Sequence, residues 1–150
     1  MKIPMQFRKG PRDWIIVNGG GNDLFFGCGC DGCDRVMTRL IAKDGTRGAV
    51  SVLLKKLLDT GAQVIYVGYL RSPGRGSPID ACREEGDELE ARIAHLAHRM
   101  RDVHYLSNQY LVPRGDLSFH ALDRIHPSIK GSKAIASGIA ALIAAKDPTR

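Results

Sequence analysis

No apolar run in this 150-residue chain is long enough to cross a bilayer, so a membrane span is not expected. The first residues, Met1-Lys2-Ile3-Pro4-Met5-Gln6-Phe7-Arg8-Lys9, carry positive charge but no continuous apolar core and no small-residue cleavage site. No signal peptide is read there, and the compartment stays unknown from this chain. Internal repeats and low-complexity tracts are missing as well, which removes solenoid and tail-like architectures. Basic residues are in excess, with a net charge of +6 and a pI near 9.4, yet they form no cluster. Lys and Arg are interleaved with acids along the chain, as on a solvated basic surface, and no nucleic-acid-binding motif accompanies them.

What is present is the make-up of a folded domain. An apolar share of 43 % beside a charged share of 25 % is ordinary, and the length suits one domain over residues 1–150 with a single core. Before Asp13 the chain is polar and broken by Pro4, Gly10 and Pro11, an irregular lead-in over residues 1–13. Trp14-Ile15-Ile16-Val17 then reads as a buried strand of β-branched and aromatic residues, stopping abruptly in Asn18-Gly19-Gly20-Gly21-Asn22-Asp23. Helices are expected from Asp34 to Ala42, Asp44 to Thr60, about Glu84 to Met100, and Ser128 to Ala145. In the second, Val50, Leu53, Leu54, Leu57 and Leu58 share a face opposite Lys55 and Lys56, and Gly61 caps the end. Val64 to Leu70 and Val103 to Leu106 are further strands, Arg71 to Pro78 is a loop, and residues 107–127 show no period.

Strands alternating with helices imply right-handed crossovers and a parallel sheet, hence an α/β/α sandwich. Nothing upstream is long enough to pair with the first strand. Its outer edge is therefore an expected site of self-association.

In an open α/β sheet, ligands bind outside the carboxyl ends of the strands, which places Asn22 and Asp23 at the functional edge. The glycines before them let the chain turn. A second constellation is Asp123-Arg124-Ile125-His126-Pro127, just before the last helix. Residues three apart on one turn face each other, so Asp123 can accept a hydrogen bond from one ring nitrogen of His126 and leave the other free as a base. Asp and His at this spacing also occur as capping and surface residues.

The four cysteines are Cys28, Cys30 and Cys33 in one glycine-rich loop, with Cys82 further on. An even count suits two disulfides and an oxidising compartment, the expected state. Four zinc thiolates and free thiols stay open, although a pair of Cys-x-x-Cys knuckles is lacking. No metal or cofactor is expected. Gly27-x-Gly29-x-x-Gly32 does not join a strand directly to a helix, so it is not read as a dinucleotide site. His95 and His98 have no third ligand and read as a helix surface.

Together, Gly20-Gly21-Asn22-Asp23 after a strand and Asp123-Arg124-Ile125-His126-Pro127 before the final helix resemble blocks III and V of the SGNH hydrolases, the GDSL esterase and lipase family. The resemblance runs from about residue 10 onward. It implies a flavodoxin-like sandwich with a short parallel sheet, lacking its first strand or strands. It further implies an oxyanion-hole amide from Asn22, a general base in His126 and an orienting acid in Asp123. Gly20 and Gly21 shape the site, and Asp23 holds the turn without being catalytic. The implied activity is serine ester hydrolysis of a small ester or acylated substrate, without cofactor. The family's nucleophilic Ser belongs to a Gly-Asp-Ser block, and neither that block nor a Gly-x-Ser-x-Gly elbow occurs here. Little or no turnover is therefore expected from the chain as given, with a non-catalytic binding or interaction module as the alternative. A complete family member is expected to be exported. Ser72, just past the second strand, is the nearest surrogate nucleophile, whereas Ser77, Ser107, Ser118 and Ser128 read as loop residues.

Overall fold

The computed structural model describes residues 6–8, 10–74 and 76–147, so part of the lead-in lies outside the described residues. Three parallel strands, Trp14–Val17 (β1), Gln63–Val67 (β2) and Val103–Leu106 (β3), pair in the order β1-β2-β3. Between them run the helices Gly21–Cys28 (α1), Asp34–Leu40 (α2), Ala49–Leu58 (α3) and Arg83–Arg99 (α4), and Ile129–Lys146 (α5) follows β3. The parallel α/β architecture is thus the one the alternation implied.

Register sorts the side chains. Ile16 faces Ile65 and Val17 faces Tyr66, so alternate residues look to opposite sides of the sheet. Val17, Val64, Tyr66 and Val103 point into the main core, where they meet Leu24 of α1, Met37 of α2, Leu54 of α3 and Leu89 and Ile93 of α4. On the other side α5 passes β3, where a Cβ on Gly138 would lie 3.5 Å from Leu106. The helices therefore cover both faces, unequally. Ile65 is fully buried in the sheet's centre, whereas Ile16, beside it on the edge strand, is 52 % exposed. Among the described residues no strand pairs with the outer edge of β1.

Several element limits differ from expectation. The helix expected from Asp44 begins at Ala49. Asp44 Oδ1 instead accepts from the backbone N–H and hydroxyl of Thr46, and Gly45 and Gly48 take φ of +71° and +118°. At Gly48 a Cβ would stand 2.5 Å from the Leu40 carbonyl oxygen, so the loop needs glycine there. The glycine-rich cysteine loop is a turn from Gly29 to Cys33 between α1 and α2, and the stretch before it, Gly21–Cys28, is helical. All four cysteines are oxidised as Cys28–Cys33 and Cys30–Cys82, the second joining the α1–α2 connection to the start of α4. That leaves no thiolate for zinc. No described helix is long and apolar enough to cross a membrane.

Candidate active site

The glycine turn after β1 is clamped from β2 and the residues following it. The Asn18 amide donates to the Val67 carbonyl at 2.6 Å, and the Tyr66 hydroxyl donates to the Gly19 carbonyl at 2.6 Å. Gly20, at φ +100°, opens the corner, and its carbonyl accepts from the N–H groups of Asp23 and Leu24 at 3.1 and 3.2 Å. This starts α1 at Gly21 and puts Asn22 and Asp23, both exposed, in its first turn. An acid there meets the positive end of the helix dipole. Asp23 closes the turn through its backbone N–H, with no side-chain hydrogen bond among the described residues. Beside Asn22 lies an open groove of about 410 Å³ whose walls include Phe26, Val36, Leu40 and Ala49, with Arg39 as its one basic residue.

The 107–127 stretch, without period in sequence, is built from turns. Leu117–Phe119 forms a single 3-10 turn, and His120 and Pro127 then pair as a one-step antiparallel bridge. The Ala121 N–H donates to the His126 carbonyl at 2.8 Å and the Arg124 N–H to the Ala121 carbonyl at 3.0 Å, closing the loop. Arg124 sits at the left-handed φ of +57°, which costs a residue with a Cβ about 1–2 kcal/mol. Two contacts from the segment after β2 hold it: Ser77 Oγ donates to the Arg124 carbonyl at 2.8 Å, and the Arg124 guanidinium donates to Gly76 O at 3.2 Å.

Within this loop Asp123 and His126 meet through a tight turn, not the helical turn their spacing suggested. Asp123 Oδ1 accepts from the N–H groups of Ile125 and His126 at 2.9 and 3.0 Å, and Oδ2 lies 2.6 Å from His126 Nδ1. The imidazole is 75 % exposed, and its Nε2 has no hydrogen bond among the described residues. The His126 contact, then the two backbone N–H groups, hold the Asp123 carboxyl at about 2, below the ordinary 3.8.

Both constellations lie past the carboxyl ends of strands, and the segment after β2 touches each. Tyr69 reaches the glycine turn, Ser77 holds Arg124, and the Gly115 N–H donates to Pro73 O at 2.9 Å. Ser72 is not brought to the histidine; its hydroxyl donates to Asp80 Oδ1 at 2.8 Å. Ser77 spends its hydroxyl on Arg124, and Ser128 donates to the Ser118 carbonyl while capping α5. His95 and His98 are exposed on α4, as expected.

The model of the GDSL-like Lipase/Acylhydrolase family matches residues 3–134, a span that holds both constellations. The chain belongs to that family. The match begins earlier in the chain than the motifs alone indicated. A solved structure from Streptococcus pneumonia, described as that of a platelet activating factor, superposes with a TM-score of 0.64 at 15 % identity, covering 87 % of this chain and 59 % of that one. This GDSL-like chain thus spans about 59 % of the length of that structure, which bears on the fold alone. No curated protein matches it.

Three residues at this GDSL-like edge escaped the sequence reading: Tyr66, Tyr69 and Glu90. The usable signal was Glu90 itself, which sits beside Leu89 and one turn before Ile93 on the apolar stripe of α4, where an acid needs partners. For the Asp123–His126 pair, the depressed carboxyl carries a sign. The pairing adds stability above pH 3.8 and loses it as pH falls through about 2. Carbon-detected NMR titration of Asp123 is expected to give a midpoint near 2 in the native chain, rising toward the ordinary value in His126→Ala.

Proposed function

We propose that this chain supplies the general base, its orienting acid and one oxyanion donor of a serine acylhydrolase site, acting on a small ester or acylated substrate without cofactor. The observation that carries this reading is the 2.6 Å contact of Asp123 Oδ2 with His126 Nδ1. It sets the tautomer that leaves Nε2 basic and open to solvent. In this scheme Nε2 takes the proton of the attacking hydroxyl and returns it to the leaving alcohol. It then activates the water that breaks the acyl-enzyme, while Asp123 stabilises the imidazolium formed at each stage. The Asn22 amide donates to the oxygen that becomes negative; one such donor is worth about 3 kcal/mol of barrier. The groove beside Asn22 would take the acyl chain against Phe26, Val36 and Leu40.

In this reading neither Ser72 nor Ser77 is the nucleophile, since their hydroxyls donate to Asp80 Oδ1 and to the Arg124 carbonyl. A fluorophosphonate probe is expected to leave the purified chain unlabelled and esterase turnover to be at or near background. Stoichiometric labelling that disappears in His126→Ala would show that a serine of this chain serves the base.

A second reading is a non-catalytic interaction module. It is favoured by the outer edge of β1, which no strand among the described residues pairs with and where Ile16 is 52 % exposed. Light scattering over a concentration series is expected to show mass rising with concentration, and Ile16→Lys is expected to suppress the rise. A strictly monomeric native chain contradicts edge pairing.

A further inference from the structure

The Gly21 N–H is the first of α1, a position with no partner inside the helix. It donates to the Tyr69 hydroxyl at 2.5 Å. The ring packs against the same turn. A Cβ on Gly21 would stand 3.0 Å from Tyr69 Cε1, and one on Gly20 would stand 3.5 Å from the Tyr69 hydroxyl and 2.9 Å from Leu89 Cδ2. Both glycines thus let Tyr69 approach the turn closely. Burial raises the Tyr69 hydroxyl above its ordinary value of 10.0, so at neutral pH it is a neutral phenol whose oxygen accepts the Gly21 proton.

Tyr69 is itself fixed. Its N–H donates to Glu90 Oε1 at 2.6 Å, and the same carboxylate takes both terminal nitrogens of Arg71, at 2.7 and 2.9 Å, and the Tyr105 hydroxyl. Glu90 is only 4 % exposed. At Gly68 a Cβ would come within 2.6 Å of the Tyr105 hydroxyl and 3.1 Å of both Glu90 oxygens, so the strand must end in glycine for this network to close.

We infer that Tyr69, locked by Glu90, is a positioning residue for Asn22: it fixes the residue before Asn22 and thereby aims the Asn22 amide at the sheet edge. The inference rests on the oxyanion role proposed for Asn22, but its test reads the placement of Asn22 without using turnover. Failure to support ester hydrolysis would therefore leave the test's result standing.

Hydrogen exchange and amide NMR of the full chain supply the test. In the native protein the Gly21 amide is expected to exchange at least about tenfold slower than an unprotected one, the factor matching one hydrogen bond. Tyr69→Phe removes only the hydroxyl. It is expected to erase that protection and to shift or broaden the Asn22 side-chain amide signals, while the amide of core residue Ile93 keeps its native protection. Free exchange of Gly21 in the native chain overturns the inference and needs no variant. Unchanged Asn22 side-chain signals in folded Tyr69→Phe also overturn it, as does a loss of protection spread equally to Ile93.

Discussion

Glu90 sits on α4 with its carboxylate turned under the end of β2, and there it meets one backbone N–H, one guanidinium and one phenol. Beside that cluster the Asn108 amide closes on Gly68 O at 2.8 Å. Such a buried ion pair contributes little to stability on balance, since desolvation offsets most of the attraction. Removing one partner alone typically costs about 3–5 kcal/mol, because the other charge is left stranded. The cluster's value is therefore in fixing where the chain goes after β2. Tyr69 leaves it toward the glycine turn, and Arg71 leads into the loop that holds Arg124.

From that junction the two halves of the site follow. On one side the turn Gly19 to Gly21 is gripped by two phenols and places Asn22 in the first turn of α1. On the other, Ser77 and Gly76 brace Arg124 in its left-handed conformation, which lets Asp123 fold back on its own backbone and onto His126. His126 therefore sits on a short loop held at several points, with its imidazole 75 % exposed and its Nδ1 turned to Asp123. That arrangement is the one the proposed role as base requires.

Much of this was legible in the amino-acid sequence, for identifiable reasons. Strands such as Val64-Ile65-Tyr66-Val67 are covered on both faces and so are apolar at every position, and the stripe of Leu53, Leu54 and Leu57 marked α3 before any packing was known. Asp123 and His126 are close in sequence, so their meeting needs only a local turn. Helix α1 was hidden because Gly-Asn-Asp-Leu-Phe-Phe-Gly-Cys has turn composition and buries only Leu24; tertiary contacts through Tyr69 and the disulfide Cys28–Cys33 override its weak propensity. Glu90 was hidden among Glu84, Glu85, Asp87 and Glu88, acids that look alike in sequence, and its partners are 15 to 21 positions away. The loop 107–127 was illegible because it is built from short, unlike turns and from contacts to side chains and to another loop, leaving no period to read.

The central proposal is that Asn22, as oxyanion donor, and His126, as base, serve one acylhydrolase site. The most direct measurement is an NMR titration of the chain with butylphosphonate, a tetrahedral anion that mimics the hydrolytic intermediate, following the Asn22 side-chain amide and the His126 ring together. Both sets of resonances are expected to move with one common midpoint. Different midpoints, or a response at one residue alone, would contradict the proposal.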